Sequence, residues 1–524
     1  MHRKFFSIII SFITCLSLVL NCDNADALTS KNRVRKHNTI QNSRNSSRKI
    51  VQQPKKDPDV KLVTCNEFLA GLLSARGIDW SSSSEYIKND PAGFILRTGI
   101  VTDKVENLNA NPKRRDVLRW CIESLGLTFE ARILNDMPSE FKDYKKLTDF
   151  ERGCLYVATE MNPAIFAKAD YFRGDDFVTE QEMKAILTRV NNASLNLKLD
   201  VVRHPLEGFE IVIHREGVFT GIPSWQLYAE NFKSALQMSY ARKFFSEQGF
   251  KMNIIKTPGG GQILLYPRTD DYNQIRRLSE LMNMRAVKYR ISASVANSNT
   301  SILPKYWVML LIDPEIWNVQ PIVSREGANI LTPLSQIARE NNSKAAINAG
   351  FFGSNKGKIF PVGALRINGY NLSTSYHTRG CVGWNDINDA MFACTNQENI
   401  NTHWSGMRNI IQAGPLIMNR GYFSSVDEGF KSSFTTAKHP RSIFGITENN
   451  KWAFIVFDGR NGMHSTGANI LELFNLMKSL AISDALNLDG GGSSEIIING
   501  KIYNLPCEGY ERPISYALGT VKAR

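Results

Sequence analysis

The sequence predicts a multidomain chain: a C-terminal α/β domain with a mixed sheet and helices, preceded by a small βαββαβ module of α+β type and an all-α module. Three observations predict it. The 524 residues are 43 % hydrophobic and 10 % aromatic, which is enough for more than one core and, at roughly 150 residues each, about three domains. Apolar residues recur at helical spacing up to about Leu195, alternate between strand and helix patterns from 205 to 291, and gather into short buried-strand runs from 301 to 524. No stretch after the N-terminus is apolar for long enough to span a bilayer, so no transmembrane span is expected in the mature chain.

The chain opens on a basic Met1 to Lys4 and an almost wholly apolar Phe5 to Leu20. Ala25-Asp26-Ala27 then fits a small-x-small cleavage site, so 1–27 reads as a secretory signal peptide and the protein as exported to a bacterial cell envelope or beyond. Residues 28–60 show no apolar periodicity. They hold nine Lys or Arg against two Asp, which gives +7 of the formal +13. The high pI therefore reports a basic linker rather than a basic face on a folded domain. That composition and the export signal exclude nucleic acid as a partner and favour an anionic cell-wall polymer.

Six cysteines follow the signal region: Cys65, Cys121, Cys154, Cys381, Cys394 and Cys507. None has CxxC or Cys/His ligand spacing, which argues against zinc. An oxidising compartment permits disulfides, and Cys381 with Cys394 could pair locally, but spacing alone does not fix connectivity.

Between 61 and 195, helices are expected near Cys65 to Gly77, Arg114 to Gly126, Glu151 to Met161 and Thr179 to Val190. A helix, a short turn and a polar lead-in recur, as "EYIKNDPAGFILRTGIV" and "DFERGCLYVATEMNPAI" show. The block resembles tandem surface-layer homology modules, which implies anchoring to the cell envelope. In 205–291 the strand Phe209 to His214, the helix Asn231 to Gly249, a hairpin through Gly259 to Gly261, the helix Tyr272 to Met282 and the strand Ala286 to Arg290 give the order βαββαβ. It is similar to the peptidoglycan-binding repeat of sporulation and division proteins. The triple glycine is a hairpin turn, since a phosphate loop would lead into a helix and a strand follows instead.

The chemistry-bearing residues lie at strand ends in 301–524. Lys344 to Phe352 is an apolar strand ending in Asn348 and Gly350, and Asn409 to Gly421 is interrupted at Gly414-Pro415. His439 and Arg441 precede another strand, and Ala453 to Arg460 ends in Asp458-Gly459-Arg460. After the amphipathic helix Asn469 to Leu480 comes "DALNLDGGGSSEIIING", a strand ending in Asp489, three glycines (Gly490, Gly491, Gly492) and two serines (Ser493, Ser494). Glu511-Arg512-Pro513 precedes the last strand. Polar residues gathered at the ends of apolar strands mark where such domains place their sites.

Taken in order, NAGFF (348–352), AGP (413–415), HPR (439–441), DGR (458–460), LDGGGSS (488–494) and ERP (511–513) resemble the phosphodiester glycosidase domain family. The resemblance implies an exported enzyme hydrolysing a sugar-1-phosphodiester of envelope or extracellular glycans between the anomeric carbon and the phosphate oxygen. The residue types suit that reaction. Arg441, Arg460 and Arg512 offer planar cations for the phosphodiester. Asp489 and Asp458 are candidates for nucleophile or base and for electrostatic stabiliser beside an oxocarbenium-like centre. His439 is the candidate weak acid or phosphate ligand.

Asn348 and Gly350 are expected to face the sugar or phosphate. Backbone N–H groups of Gly490 to Gly492, with Ser493 and Ser494, are expected to cradle the anion. No cofactor is expected; a divalent cation held by Asp489 and Asp458 stays open, as do a non-catalytic glycan-binding role and a metal-dependent phosphodiesterase. Removal of Leu28 to Ile291 is expected to leave catalysis intact and to release the protein from the wall. The segment Asn371 to Trp404 departs from the family pattern and is expected to reshape the substrate pocket.

Overall fold

The chain divides into two units, Met1–Pro58 and Asp59–Arg524. The computed structural model describes residues 60–78, 89–230, 232, 234–256, 262–295, 303–424 and 426–523, all within the second unit. The expected signal peptide, the linker up to residue 59 and the Gly259 to Gly261 turn lie outside the described residues.

The N-terminal block is helical, as its periodicity predicts: Cys65–Arg76, Pro91–Arg97, Arg114–Ser124, Thr128–Ile133, Asp149–Glu160 and Glu180–Asn196. Three of these helices start at reciprocal capping boxes, Thr64 with Glu67, Thr148 with Glu151 and Thr179 with Glu182. Each box satisfies two backbone N–H groups that the first helical turn would otherwise leave orphaned. Gly77 closes the first helix at φ 61°, a left-handed conformation that a residue with a Cβ adopts at a cost.

The small module keeps its expected βαββαβ order but starts one strand later. Its four-stranded sheet runs Asn253–Lys256, Gln262–Thr269, Pro223–Glu230, Lys288–Val295, with helices Ala235–Glu247 and Tyr272–Met284. The strand expected to open it, Phe209–Glu216, instead pairs along all eight residues with Lys305–Ile312, Phe209 opposite Ile312 and Glu216 opposite Lys305. Phe209, Ile211 and Ile213 are all buried, and their alternation fits the large sheet as well as it would have fitted the small one.

That large sheet has eight strands in the order Lys198–Arg203, Phe209–Glu216, Lys305–Ile312, Trp452–Phe457, Arg441–Thr447, Ile482–Asn487, Leu416–Asn419, Tyr422–Phe423. A five-stranded sheet in the order Lys501–Ile502, Ile496–Ile498, Ala345–Asn348, Ala517–Lys522, Trp317–Ile322 lies in the same C-terminal part. The C-terminal part combines sheets with a few helices, but every strand pairing among the described residues is antiparallel where a mixed sheet was expected. Apolar runs such as Trp452 to Phe457 are continuous even in these antiparallel strands. They are continuous because both faces are covered, one by the helix Ile470–Ser479 through Leu473 and Met477, the other by the main core.

One hydrophobic core runs through the helical block, the strand Phe209–Glu216 and the C-terminal sheets, taking in Phe68, Leu118, Phe219, Tyr306 and Tyr516. Cys381 and Cys394 are free thiols. Cys381 faces Ala393 across its strand pair and Cys394 faces Gly380, so the two sulfurs leave opposite faces of the ladder.

Candidate active site

The sequence-predicted residues converge where the eight-stranded and five-stranded sheets meet. Arg441 opens its strand, Asp458 and Asp489 follow the ends of Trp452–Phe457 and Ile482–Asn487, and Asn348 ends Ala345–Asn348 from the other sheet. The joint is hydrogen-bonded. Asp489 N–H donates to Ala349 O at 2.9 Å, and Asn348 Nδ2 donates to Asp489 O at 2.7 Å. Asn348 Oδ1 accepts from Ser442 Oγ at 2.6 Å and from Glu495 N–H at 3.1 Å. With its side chain 1 % exposed, Asn348 rivets three segments together beneath Asp489 rather than reaching into a cleft as expected.

Asp489 is partly buried and its Oδ1 accepts from Gly490 N–H at 3.0 Å. Burial lifts its carboxyl to about 6, against the pull of Ser493, Arg512 and that N–H group. It therefore sits where one carboxylate can be switched within the neutral range.

The glycine run has a different use from the anion cradle expected of it. The N–H groups of Gly490 and Gly491 are taken by Asp489 Oδ1 and, at 3.0 Å, by Pro440 O. What the glycines supply is room. A Cβ on Gly491 would stand 3.2 Å from Arg460 Nη2, and one on Gly492 would stand 2.2 Å from Arg512 Nη2. Two guanidinium groups thus lie on the loop immediately after Asp489. Ser493 sits beside Asp489, and Ser494 Oγ is buried with no hydrogen-bond partner among the described residues.

The three arginines differ in kind. Arg512 is held bidentately by Glu508. Arg460 is exposed, at φ 59°, and enters no ion pair among the described residues. Arg441 is 1 % exposed; its Nε donates to Ala468 O at 3.1 Å and its Nη2 to Ala437 O at 3.3 Å and to Phe434 O. Burial, and then the neighbouring charge of Arg460, push the Arg441 guanidinium down to about 10. A buried cation facing a second cation, with no carboxylate between them, leaves an uncompensated positive site.

Asp458 is not presented to a ligand. It is 2 % exposed, its Oδ1 accepting from Asn504 Nδ2 at 3.0 Å and its Oδ2 from Leu505 N–H at 2.7 Å and from His464 Nε2 at 2.8 Å. The chain around it is tied down at three points, and both oxygens are occupied by protein donors. Among the described residues no set of three or more His, Cys, Asp or Glu side chains is gathered as a metal site. His439 hydrogen-bonds Ser433 O through Nε2 at 3.1 Å, and because a carbonyl only accepts, Nε2 carries the hydrogen. Its ring secures the short helix Ser432–Thr436, whose Phe434 O also holds Arg441. Gly350, expected to face the sugar or phosphate, makes room for a protein neighbour: a Cβ there would stand 2.0 Å from the Tyr516 hydroxyl oxygen.

Three residues that matter, His464, Asn504 and Glu428, were not read from the sequence, and Glu495 was read only as a reserve carboxylate, more structural than catalytic. His464 and Asn504 lie in stretches without periodicity and acquire roles only by folding against Asp458. Glu495 is 2 % exposed and lifted to about 9 by burial and by Glu511, with which it hydrogen-bonds. Glu428 accepts from the N–H groups of Gly380 at 2.7 Å and Leu416 at 2.6 Å and braces the Gly414-Pro415 bend.

Beside the site, a cavity of about 220 Å³ is lined by Phe351, Val362, His377, Arg379, Gln412 and Phe430. Phe351 belongs to the turn whose Ala349 O accepts from Asp489 N–H, and the Arg379 guanidinium lies 3.9 Å over the Phe430 ring. A second cavity of about 380 Å³ adjoins it through Tyr376 and is lined by Arg366, Asn371, Ser373 and Asn401.

Residues 341–521 match the family model described as phosphodiester glycosidase. The chain is 35 % identical over 77 residues to an SPbeta prophage-derived uncharacterized protein, YomE, of Bacillus subtilis (strain 168), covering 15 % of this chain and 12 % of that one. It is 26 % identical over 108 residues to the N-acetylglucosamine-1-phosphodiester alpha-N-acetylglucosaminidase of Homo sapiens, covering 20 % of this chain and 21 % of that one. The chain thus spans only 12 % and 21 % of the length of these two relatives. The zebrafish N-acetylglucosamine-1-phosphodiester alpha-N-acetylglucosaminidase catalytic domain, auto-inhibited by its pro-peptide, aligns with a TM-score of 0.38 at 18 % identity, over 44 % of this chain and 81 % of that one. The family match takes in Asn348, Arg441, Asp458, Arg460, Asp489 and Arg512, among the other polar side chains of the six motifs.

Proposed function

We propose that the chain is an exported glycosidase that hydrolyses a sugar-1-phosphodiester of envelope or extracellular glycans at the bond between the anomeric carbon and the phosphate oxygen. The observation that carries this reading is the pair Arg441 and Arg460, two cations without a carboxylate partner among the described residues, beside a carboxyl poised near 6. A phosphodiester is a single anion throughout the neutral range and suits such a site. Arg460 binds the phosphoryl oxygens from the open side, Arg512 from across the glycine loop, and Arg441 supplies charge from beneath.

Asp489, ionised above about pH 6, is the carboxylate that meets the anomeric carbon as positive charge develops there. Asp458, locked in its hydrogen bonds, acts by holding the loop that carries Arg460. The departing phosphate monoester is a stable anion, so the reaction proceeds without a strong general acid. The sugar lies toward the 220 Å³ cavity, where Phe351 and Phe430 offer aromatic faces and His377 and Arg379 offer donors. Export rests on the Met1 to Ala27 pattern. The basic linker and the N-terminal modules make the contact with cell-wall polymer or peptidoglycan.

The test is to incubate the purified mature chain with methyl N-acetylglucosamine-1-phosphodiester, with and without chelator, and to identify the products. Free sugar and methyl phosphate, formed equally with chelator, support the reading. Release of sugar-1-phosphate, or turnover abolished by chelator, assigns the protein to the other P–O bond or to metal chemistry. Absence of turnover across several sugars assigns it a binding role.

A further inference from the structure

The loop that presents Arg460 is anchored by a line of buried charges that leaves the family-matched segment altogether. Asp458, at the head of the loop, meets His464 Nε2 at 2.8 Å, and His464 Nδ1 stands 3.4 Å from Glu130 Oε1 on the helix Thr128–Ile133. Glu130 Oε1 in turn lies 3.0 Å from Arg215 Nε on the strand Phe209–Glu216. Glu130 and Arg215 are 0 % exposed, Asp458 2 % and His464 4 %. Four alternating charges are therefore sealed in the core between the helical block and the C-terminal sheets.

Isolated buried ions of this kind cost far more than they return, so each depends on its neighbours. The other groups facing His464 are neutral: the Tyr306 ring at 4.8 Å, the Phe129 ring at 5.2 Å, and Asn504 through Asp458. Tyr306 stays protonated because burial lifts it well above its usual range. Behind Arg215, Arg76 donates to Ser124 O, Ser194 Oγ and Phe219 O and adds a further positive charge on that side.

We propose that Glu130 is a positioning residue of the active site: it keeps His464 as an imidazolium against Asp458, and through Asp458 it fixes the 458–465 loop that sets Arg460 over Gly491. The unit competent to bind the phosphodiester then begins in the helical block, about two hundred residues before the family-matched segment at 341–521. Burial on its own would deprotonate His464; Glu130, seconded by Asp458, outweighs it and holds the ring charged up to about pH 9. Removing the negative charge of Glu130 lets burial win. The imidazole turns neutral at ordinary pH, Arg215 loses its counter-charge, and the loop loses its anchor.

This inference rests on the reading of Arg460 as a phosphate ligand, so its test is a binding measurement that needs no turnover. Inorganic sulfate, whose charge is constant between pH 6 and 9, is titrated calorimetrically into the mature chain and into Glu130→Gln and Glu130→Asp. The wild-type affinity is expected to fall as Asp489 ionises near pH 6 and to be flat above that up to pH 9. Relative to wild type at the same pH, Glu130→Gln is expected to bind about equally at pH 6 and about tenfold more weakly at pH 8, with the transition following the His464 ring resonances by NMR. Glu130→Asp, which keeps the charge, restores the wild-type profile.

Equal sulfate affinity and the same pH profile in wild type and Glu130→Gln overturn the inference and leave the phosphate site standing. If Glu130→Gln does not fold, the wild-type titration of His464 decides: a midpoint below pH 7 overturns it, and one near 9 supports it. No sulfate binding by the wild type overturns the reading of Arg460 itself.

Discussion

The Arg460 guanidinium rests on Gly491, its two terminal nitrogens 3.2 and 3.3 Å from the point where a Cβ would stand. The contact places an exposed, unpaired cation beside Asp489, whereas Arg441, on the adjoining strand, is buried and tied to carbonyls. The two arginines therefore separate binding from folding. Arg460→Gln is expected to raise KM for the phosphodiester about ten- to a hundredfold, the worth of a charge-assisted hydrogen-bond pair, with Tm unchanged. Arg441→Gln is expected to lower Tm by several degrees as well, since it abandons carbonyls that only a buried donor can reach. Steady-state kinetics alongside thermal melts check both. A large Tm loss in Arg460→Gln, or none in Arg441→Gln, contradicts the division.

Asp489 gives a pH signature of opposite sign in activity and in stability. Its folded value of about 6 lies above the ordinary 3.8, so the folded state holds this proton more tightly than the unfolded chain does. Stability from this group is full below about pH 4, falls between 4 and 6, and the penalty is complete above 6. Asp489→Asn is therefore expected to raise Tm at pH 8 and to leave it unchanged at pH 4, while abolishing turnover at both. In the wild type, kcat/KM is expected to climb with pH to a plateau with a midpoint near 6. A flat profile from pH 5 to 8, or turnover surviving in Asp489→Asn, removes Asp489 from the reaction.

The glycines divide into those that seat the arginines and those that admit backbone. At Gly492 a methyl group would meet the end of the Arg512 side chain, which can swing away by giving up its partly exposed pair with Glu508. At Gly467, φ is 98° and the methyl group would stand 2.7 Å from the backbone carbonyl of His439, which cannot move. Gly492→Ala is thus expected to fold with near-normal Tm and a raised KM, and Gly467→Ala to lose roughly 2 kcal/mol or more of stability. Denaturant unfolding curves and KM values distinguish the two. Equal effects on stability would mean that the Arg512 seat is as rigid as the backbone at 467.

How much of this was legible in the sequence depends on range. Helices that announce themselves by local caps, Thr64 with Glu67 or Thr179 with Glu182, form where periodicity predicts them. Asp489, Arg460 and the glycine loop were legible because they sit at the abrupt end of an apolar run, where chemistry and backbone geometry share a few residues. Asn348 and Asp458 carried the same local signal, yet folding turned them inward, because their partners Ser442, His464 and Asn504 come from segments that no short-range pattern links to them. The strand Phe209–Glu216 was assigned to the wrong sheet for a similar reason. An alternating strand records that one face is buried and says nothing of the strand that pairs with its edge. Glu130 carried no signal at all: a glutamate in a short helix is ordinary until Arg215 and His464 close over it.

The same pairing reverses the expectation that the C-terminal domain works alone. A fragment beginning at Ser301 would leave Lys305–Ile312 with a bare edge eight residues long and apolar, the kind of edge that recruits other chains. It would also strip Glu130 from His464, and Ile133 O from Lys501 Nζ, which donates to it at 2.6 Å. The fragment is therefore expected to express as aggregate or as a species with lost near-UV dichroism. A chain starting at Val60 is expected to fold and to turn over substrate as the mature protein does. Size-exclusion chromatography, dichroism and kcat/KM on the two fragments decide the matter. A monomeric, fully active 301–524 fragment would show that the helical block and the strand at 209–216 are accessories to the site rather than part of it.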